Sequence, residues 1–518
     1  MKDTLIIKNG RILTMKDGRK ADFSVVSSGK IKALGMGEGY KEYLEEGVHV
    51  IDAEGKTVLP GFIDNHFHLV KTAVSEKFVD LSKARNFQEI GEKIKEAIKE
   101  SPDGIIAKHL DWSNLEEQTF PDRTVLDKFV NDAPVVIYSF DTHVMMLNTY
   151  AILYHKVPFT LPGVDLDEKG MPTGVFHKQT SGKLDTDIHK SFEEEYLQSA
   201  IDQLMPKLLS CGLTTVAAIE GGNLKTDFDS DVDGDYVYKH GDQYPISLVQ
   251  FYQTTNIEKV REMGMNRIGG ALYLDGTIGD RTAALTFDYK DSPGKRGITC
   301  FDQEFINEFV LECVEKNLQI AFDAIGDDAI EAAIVAFENA NKQYDIKHMR
   351  HRIEHGELIT KAQMKRAADL GIILSMQPTY EGKWGMPGGM YTKRLGDRYG
   401  STNMFKELFE EKVLVCGGSD SDVTEYNPLI GIHHAVNHPV EKHSLSLEEA
   451  LSMYTSNGAY ALFQEDYIGT LEEGKNADIV VLDCDLESLP KEKIKDAKVL
   501  WTIKDGSILY QRSNDAEN

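Results

Sequence analysis

Short apolar runs alternate with amphipathic stretches through the middle of the chain. The runs TTVAAI, LQIAFDAIGD, IILSMQP and VLVCGGSD have the length of buried strands, and each follows a stretch with the 3.6-residue period of a helix. Buried apolar strands separated by helices are typical of a parallel sheet with both faces covered. The number of consecutive units favours an α/β fold of the (β/α)8 barrel type over an open sheet.

The two ends of the chain have a different pattern. Both consist of short β-rich runs broken by turn sequences such as KNG and KDG near the start and KDG near the end. Neither end is large enough to bury a core of its own. We therefore predict that residues 1–58 and 468–518 combine into one composite β-sandwich, with residues 59–70 and 200–467 forming the barrel.

A long segment interrupts the barrel pattern after its first strand, GFIDNHFHL. Residues 71–199 contain the helical stretch FQEIGEKIKEAIKES and the strand PVVIYSFDTHVMMLNT. A connection of this length is too long for a simple loop between strand and helix. We interpret it as an inserted subdomain at the barrel mouth, a natural place for substrate selection.

The composition and net charge of the chain disfavour some classes of binding partner. The formal net charge of −27 disfavours binding to nucleic acid and to anionic lipid, because both require basic surfaces. No apolar run approaches the ~20 residues of a membrane helix, and the first residues lack the apolar core of a signal peptide. Five scattered cysteines without a CxxC pair indicate a reducing compartment. We expect a cytoplasmic protein with a small-molecule substrate, and homo-oligomer formation is left open.

The run PGFIDNHFHL carries the strongest local signal for chemistry. His66 and His68 are two residues apart on a predicted strand, so their imidazoles project to the same side and suit a divalent metal. Three further candidates stand at the ends of later strands: Asp323, His355 and Asp420. Each alone could be a core, turn or capping residue. Together, at successive strand ends of one barrel, they predict a metal site.

Several motifs occur together in a recognisable order. PGFIDNHFHL, DGTIGDRTAAL, AIGD, RIEH, MQP, GGSD and the final GTLEEGKNADIVVLD resemble the amidohydrolase superfamily, and specifically its N-substituted formamide deformylase-like branch, amidohydrolase family 3. The resemblance covers nearly the whole chain. It implies a barrel with a composite sandwich, hydrolysis of C–N bonds, and one or two divalent metal ions, with zinc as the first choice.

The resemblance also assigns roles to individual residues. It implies that His66 and His68 are ligands from the first strand and His355 a ligand from the sixth. Asp420 matches the aspartate of the eighth strand, which binds metal and takes a proton from the attacking water. Arg281 matches an arginine of the branch's signature loop. Either Arg281 or His355 could stabilise the oxyanion that develops during hydrolysis.

Two positions depart from the family pattern. Ala271 stands where many members have a lysine that, once carbamylated, bridges two metals. Asp323 replaces the histidine of the fifth strand, and it offers an oxygen ligand with an added negative charge. Glu220 lies at the end of the second strand. We interpret it either as a carboxylate that bridges two metal ions in place of the lysine, or as a loop or salt-bridge residue. We expect Asp323 to face the metal, with either one tightly held ion or a pair bridged by Glu220.

Other polar and aromatic residues are weaker candidates. Trp112, Asp141 and His143 are pocket or core residues of the insertion. The Gly-rich stretch after the seventh strand is a mobile flap or an irregular connection and contains Tyr380, Trp384, Met386 and Met390. For His433, His434 and His438 a solvated helix face is preferred over a metal site.

Three functions remain open at this point. The first is a hydrolase of a non-peptide amide-type bond that uses a metal-activated water. The second is a deaminase with a single metal, which the missing lysine favours and the missing fifth-strand histidine disfavours. The third is a homologue that binds a ligand without turnover, for which the departures at Ala271 and Asp323 are the support.

Overall fold

The structure is a computed structural model that describes residues 4–139, 144–177, 180–181, 184, 187–188, 191–221 and 232–513. The chain divides into two compact units. One unit comprises residues 1–69 and 202–518, and the other comprises residues 70–201. In the part of the chain that is described, no helix has the length and apolar character needed to cross a bilayer.

Eight parallel strands form the barrel of the first unit, in the order in which they occur along the chain. A parallel bridge between Phe67 and Ser421 connects the first strand to the loop after the eighth. The predicted (β/α)8 barrel is therefore confirmed. The first to eighth barrel strands are Phe62–Phe67, Leu213–Gly221, Ser247–Gln253, Arg267–Tyr273, Gln319–Ala324, Arg352–His355, Ile373–Met376 and Leu414–Gly417.

Helices separate the barrel strands and begin and end at the residues that helix physics favours. Asp302 caps the helix Gln303–Glu315 by accepting a hydrogen bond from Phe305 N. The helix Lys361–Leu370 has a capping box at its start and the left-handed Gly371 at its end. The other helices are Glu194–Ser210, Val232–His240, Ile257–Glu262, Asp327–Asn341, Thr379–Trp384, Met390–Leu395, Phe405–Glu410, Pro428–Val436, Leu447–Met453 and Ser456–Ala461.

Glycines shape the fourth barrel strand. Gly269 and Gly270 have φ angles of 94° and 101°, in the region that only glycine enters without strain. A side chain at Gly269 would also place its Cβ 2.2 Å from Ala321 O of the neighbouring strand. The register between the fourth and fifth strands shifts between Gly269 and Leu272, so the strand bulges over a stretch that includes Ala271.

Strands from the two ends of the chain share one six-stranded sheet. Its order is Ser507–Gln511, Val499–Lys504, Ile479–Leu482, Thr57–Pro60, Arg11–Leu13 and Lys20–Ala21. A second sheet has the order Lys30–Gly35, Phe23–Ser27, Thr4–Lys8 and His49–Asp52. One apolar cluster includes residues of both sheets, among them Ile7, Val26, Val58, Ile479 and Ile503. The exact limits predicted for the sandwich and the barrel stay predictions.

The second unit contains its own six-stranded sheet. The order is Val164–Leu166, Pro172–His177, Val144–Leu147, Val135–Ser139, Ile105–Leu110 and Val79–Asp80. The prediction of one strand for PVVIYSFDTHVMMLNT is wrong, because Val135–Ser139 and Val144–Leu147 are two antiparallel strands, in which Tyr138 pairs with Met145. The helices of this region are Leu69–Ser75, Phe87–Ala97, Arg123–Leu126 and Thr149–Tyr154.

Short 3-10 helices complete the described elements. They are Gly39–Tyr43, Trp112–Asn114, Gly241–Gln243, Lys347–Met349, Gly396–Ser401, Glu441–His443 and Lys491–Asp496.

Candidate metal centre

The first and eighth barrel strands meet closely at their carboxyl ends. Asp420 N donates a hydrogen bond to His66 O at 2.9 Å. A Cβ at Gly418 would lie 2.6 Å from the backbone N of His66, so the second glycine of GGSD permits this approach. Asp64 accepts backbone hydrogen bonds from His66 N at 3.1 Å and Ser419 N at 3.0 Å. The backbone therefore holds His66 and Asp420 side by side.

The predicted ligands converge at this end of the barrel. His66, His355 and Asp420 are buried, and each offers one ligand atom within 4.8 Å of the other two. Asp420 Oδ1 lies 3.3 Å from His66 Nε2 and 3.1 Å from His68 Nε2. His355 and Asp420 have φ angles of 67° and 53°, which are uncommon for such residues and cluster at functional sites.

The donor set fits a divalent metal. His66 Nε2 and His355 Nδ1 are buried and make no hydrogen bond, which is costly for a polar atom unless something else occupies its lone pair. Imidazole nitrogens combined with a carboxylate oxygen are ligands that zinc accepts. The residues present are therefore suited to the metal that the family resemblance implies.

The carboxylates give the site a strongly negative potential. Burial alone would lower the pKa of His66, but the carboxylates of Asp420 and Glu354 raise that pKa to about 9. Burial is likewise outweighed at His355, where Asp323, Asp420 and Glu357 raise the pKa to about 10. Groups that attract a proton this strongly also attract a metal cation.

Asp323 lies beside His355 at the end of the fifth strand. Its Oδ2 is 3.0 Å from His355 Nε2, and its side chain is buried. This distance is compatible with both side chains binding one ion and with Asp323 orienting the imidazole. The ligand role of Asp323 stays a prediction, since within the described residues the convergent group consists of His66, His355 and Asp420.

The two positions linked to a bridging ligand are both buried. Ala271 lies in an apolar cluster with Ile219 and Phe251, so the position of the absent lysine is surrounded by hydrocarbon. Glu220 is 3% exposed at the end of the second strand, opposite Tyr252. Its role as a bridge stays a prediction.

Arg281 is paired with the carboxylate of Asp291. Its Nε and Nη2 donate to the two carboxylate oxygens of Asp291 at 2.9 and 2.8 Å. Arg394 also donates to Asp291 and to Gly279 O, so the signature loop is fastened to the helix Met390–Leu395. An oxyanion role for Arg281 stays a prediction and would require its release from Asp291.

The weaker candidates have varied environments. Trp112 is 40% exposed and lies 6.0 Å from the ring of Phe120. His433 and His438 are buried, so the expectation of a solvated face is wrong for both. His433 lies on the helix Pro428–Val436, most of whose residues are buried and apolar, so this helix has little solvated surface. Asp141 and His143 lie outside the described residues.

Three further residues lie at the site: Tyr380, which the sequence placed only in a flap or irregular connection, and Glu354 and Arg352, to which the sequence pattern gave no role. Tyr380 donates a hydrogen bond from its hydroxyl to Asp420 Oδ2, and its ring lies 5.7 Å from that of His355. Glu354 contacts His66, and Arg352 contacts Glu354. The only signal for the latter two was an opposite charge pair inside the short buried strand RIEH.

Known proteins are similar to this chain over nearly its full length. The chain is 27% identical to the protein YtcJ of Bacillus subtilis (strain 168), over 97% of this chain and 99% of that protein. It is 25% identical to the N-substituted formamide deformylase of Arthrobacter pascens, with 99% of each covered. The crystal structure of an uncharacterized metal-dependent hydrolase from Pyrococcus furiosus matches with a TM-score of 0.80 at 26% identity, covering 93% and 99% of the two chains.

The family comparison agrees with these similarities. The sequence model described as Amidohydrolase family matches residues 49–510, which include the barrel and all the converging side chains. The predicted resemblance is thereby confirmed at the level of the family. This chain belongs to the amidohydrolase family, in its family 3 branch, and is a hydrolase of the metal-dependent amidohydrolase superfamily.

Proposed function

We propose that this protein hydrolyses a non-peptide, amide-type C–N bond of a small molecule. The observation that carries the proposal is the convergence of His66, His355 and Asp420, with two buried imidazole nitrogens that make no hydrogen bond. His66, His68, His355 and Asp420 would hold a divalent ion, with zinc as the first choice, and Asp323 would complete the set. Glu220 would join them if a second ion binds.

The bound metal would supply Lewis acidity, polarising the scissile carbonyl and acidifying a water molecule. Asp420 would accept the proton of the attacking water and return it to the leaving nitrogen. Oδ2 of Asp420 accepts a hydrogen bond from the hydroxyl of Tyr380, whereas Oδ1 faces the two first-strand histidines. Stabilisation of an oxyanion by His355 or Arg281 stays a prediction, because His355 would bind the metal and Arg281 is bound to Asp291.

The similarity to a deformylase supports the choice of bond. The relative from Arthrobacter pascens is named for N-substituted formamides, which are small non-peptide amides. Formamides and other simple amides are therefore the first substrates to test for this chain.

A deaminase is the second candidate. Ala271 removes the lysine from which a carbamate bridge forms, and a single metal is sufficient for deamination of an amidine or aromatic amine. Product analysis separates the candidates. Release of a carboxylate and an amine from a panel of amides supports the amide hydrolase. Release of ammonia from amines, with the amides left uncleaved, supports the deaminase.

Metal analysis tests the site itself. Purified protein should contain stoichiometric transition metal, and His66→Ala and His68→Ala should lose both metal and turnover. His49→Ala, at an exposed histidine, should keep both. A metal-free double variant that remains active would eliminate the metallohydrolase, and a metal-free inactive wild type would favour a ligand-binding homologue.

Two metal equivalents that fall to one in Glu220→Gln would support the bridge, whereas one equivalent in both proteins with unchanged activity would exclude it.

A further inference from the structure

Two opposite charges lie inside the barrel below the candidate metal centre. Arg352 and Glu354 belong to the sixth strand, and the side chains of both are 0% exposed. Ionised side chains are almost never buried this completely without specific partners, because removing them from water costs several kcal/mol each. Their burial therefore calls for an explanation in terms of what they contact.

Arg352 is tied to several barrel strands. Its Nε donates to Glu354 Oε1 at 2.8 Å, and its Nη2 donates to Glu354 Oε2 at 2.8 Å. Nη2 also lies 2.6 Å from Asn65 O of the first strand and 2.9 Å from Ser375 Oγ of the seventh strand, so its two hydrogens are shared among three acceptors. The guanidinium lies 4.5 Å from the ring centroid of Phe251 in the third strand. Glu354 is thus held in one orientation by a rigid planar group.

Glu354 in turn contacts the first-strand histidine. Its Oε2 is 2.8 Å from His66 Nδ1, while His66 Nε2 faces Asp420. A carboxylate at Nδ1 keeps the proton on that nitrogen, so Nε2 carries the free lone pair. His68 has a weaker equivalent, since its Nδ1 lies 3.1 Å from the backbone oxygen of Ile219.

We propose that Arg352 and Glu354 form a buried relay that fixes His66 in the Nδ1–H tautomer and aims its Nε2 at the metal. Both are positioning residues that act through His66. The inference rests on the proposed metal-dependent function and extends it to residues beyond the ligands. It accounts for the charge pair within RIEH, which an apolar pair of similar volume would otherwise replace at no cost in stability.

Glu354→Gln tests the relay. Glutamine has one acceptor oxygen, whereas the relay needs one oxygen for Arg352 Nε and another for His66 Nδ1. Protein stripped with a chelator is titrated with Zn²⁺ in competition with a chromophoric chelator. We expect Glu354→Gln to bind Zn²⁺ about 10–100-fold more weakly than the wild type, in the range found for partners of metal-ligating histidines.

Glu407→Gln is a matched control. Glu407 is a buried carboxylate whose Oε2 lies 2.6 Å from His443 Nδ1, so the substitution removes the same kind of contact in another part of the first unit. It should reduce thermal stability and leave Zn²⁺ affinity unchanged. An equal loss of Zn²⁺ affinity in both variants would overturn the relay and indicate a general effect of destabilisation.

Two further experiments test the inference if Glu354→Gln fails to fold. The variant Arg352→Met with Glu354→Leu replaces the buried charges by apolar side chains and should fold yet bind Zn²⁺ more weakly. A crystal structure of the zinc-loaded wild type should have Nε2 of His66 about 2.0–2.1 Å from the metal. Zinc on Nδ1 would overturn the relay.

The outcomes also separate this inference from the proposed function. A wild type that binds no transition metal contradicts the function and with it the relay. A wild type that binds Zn²⁺ with an affinity equal to that of Glu354→Gln overturns the relay alone.

Discussion

Asp420 uses its two carboxylate oxygens differently. Oδ1 faces the Nε2 atoms of His66 and His68, whereas Oδ2 accepts the hydroxyl hydrogen of Tyr380. Tyr380 is itself buried and packs against Trp384, with ring centroids 4.5 Å apart. The tyrosine thus fixes the rotation of the carboxylate that is proposed to carry the proton.

Tyr380→Phe removes this hydrogen bond and keeps the ring. A hydrogen bond to a charged group contributes about 1.5–3 kcal/mol, so we expect kcat to fall roughly 10–100-fold. Metal content and KM should change little, because the ligand atoms remain. Tyr289→Phe, which removes a buried hydroxyl donating to Ala283 O, is the control and should keep kcat. A Tyr380→Phe protein that has lost its metal would contradict this role and show instead that Tyr380 supports the metal site.

His351 gives the protein a pH-dependent stability that is independent of the site. It is fully buried, its Nδ1 accepts a hydrogen bond from Ile320 N, and its pKa is lowered from 6.5 to about 3 by burial and by the charge of His348. The unfolded chain therefore binds a proton in this range that the folded chain excludes. Stability is complete above pH 6.5 and is lost as the pH falls toward 3.

His351→Asn should flatten that pH dependence. Between pH 7 and pH 4 the wild type should lose about 3 kcal/mol on account of this residue, which follows from the two pKa values. Asparagine keeps an acceptor for Ile320 N but does not titrate. Thermal midpoints across this pH range measure the difference. Parallel curves for the two proteins would contradict the assignment to His351.

At the scale of elements, one carboxylate joins two loops of the barrel. Asp275 of the DG motif accepts hydrogen bonds from Ala284 N, Ile325 N and Gly326 N at 2.7, 3.0 and 2.8 Å. It therefore fastens the loop after the fourth strand to the end of the fifth, directly after Asp323. Burial raises the pKa of Asp275 to about 7 even with these three donors.

Gly326→Ala should disrupt this junction. The φ of Gly326 is −77°, which any residue adopts, so space and not conformation requires glycine here. A Cβ would lie 1.9 Å from Ala284 O. We expect a loss of about 3 kcal/mol, measured as a lower thermal midpoint. Gly400→Ala, whose Cβ would meet no atom within 4 Å, should leave the midpoint unchanged.

Sequence periodicity was sufficient to predict which residues lie at the ends of the barrel strands. It was not sufficient to predict which of their side chains contact one another. His66 and His68 were found because a period of two fixes which side chains share a face. The contacts of Glu354 and Tyr380 depend on how distant strands meet when the barrel closes, which no local pattern encodes. The antiparallel pair Val135–Ser139 and Val144–Leu147 was missed for a related reason, because two apolar strands that are close in sequence resemble one long strand.

At the scale of the whole molecule, the sheet made from both ends of the chain contains a buried ion pair. Lys504 Nζ lies 3.0 Å from Asp478 Oδ2, and the two side chains are 8% and 3% exposed. Asp478 O also accepts from Gly61 N at 2.8 Å, immediately before the first barrel strand. Asp478 thus pairs with Lys504 through its carboxylate and joins the last strands to the segment before His66 through its backbone oxygen.

Lys504→Met would leave the Asp478 carboxylate buried without its cation. Breaking a buried pair in this way costs about 3–5 kcal/mol, so the thermal midpoint should fall clearly. Adding Asp478→Asn should recover part of the loss. Lys493→Met breaks the exposed pair with Asp496 and should leave the thermal midpoint nearly unchanged, because solvent screens such pairs. Similar midpoints for Lys504→Met and Lys493→Met would contradict the importance of the buried pair.

The shared sheet also affects the order of events during protein synthesis. Thr57–Pro60 pairs with Arg11–Leu13 on one side and with Ile479–Leu482 on the other, and the ribosome makes residues 61–478 between these partners. The nascent chain therefore carries an unpaired strand edge next to His66 for most of translation, a state that chaperones recognise and that promotes aggregation. Capture of the metal by a finished site is then expected after the chain leaves the ribosome.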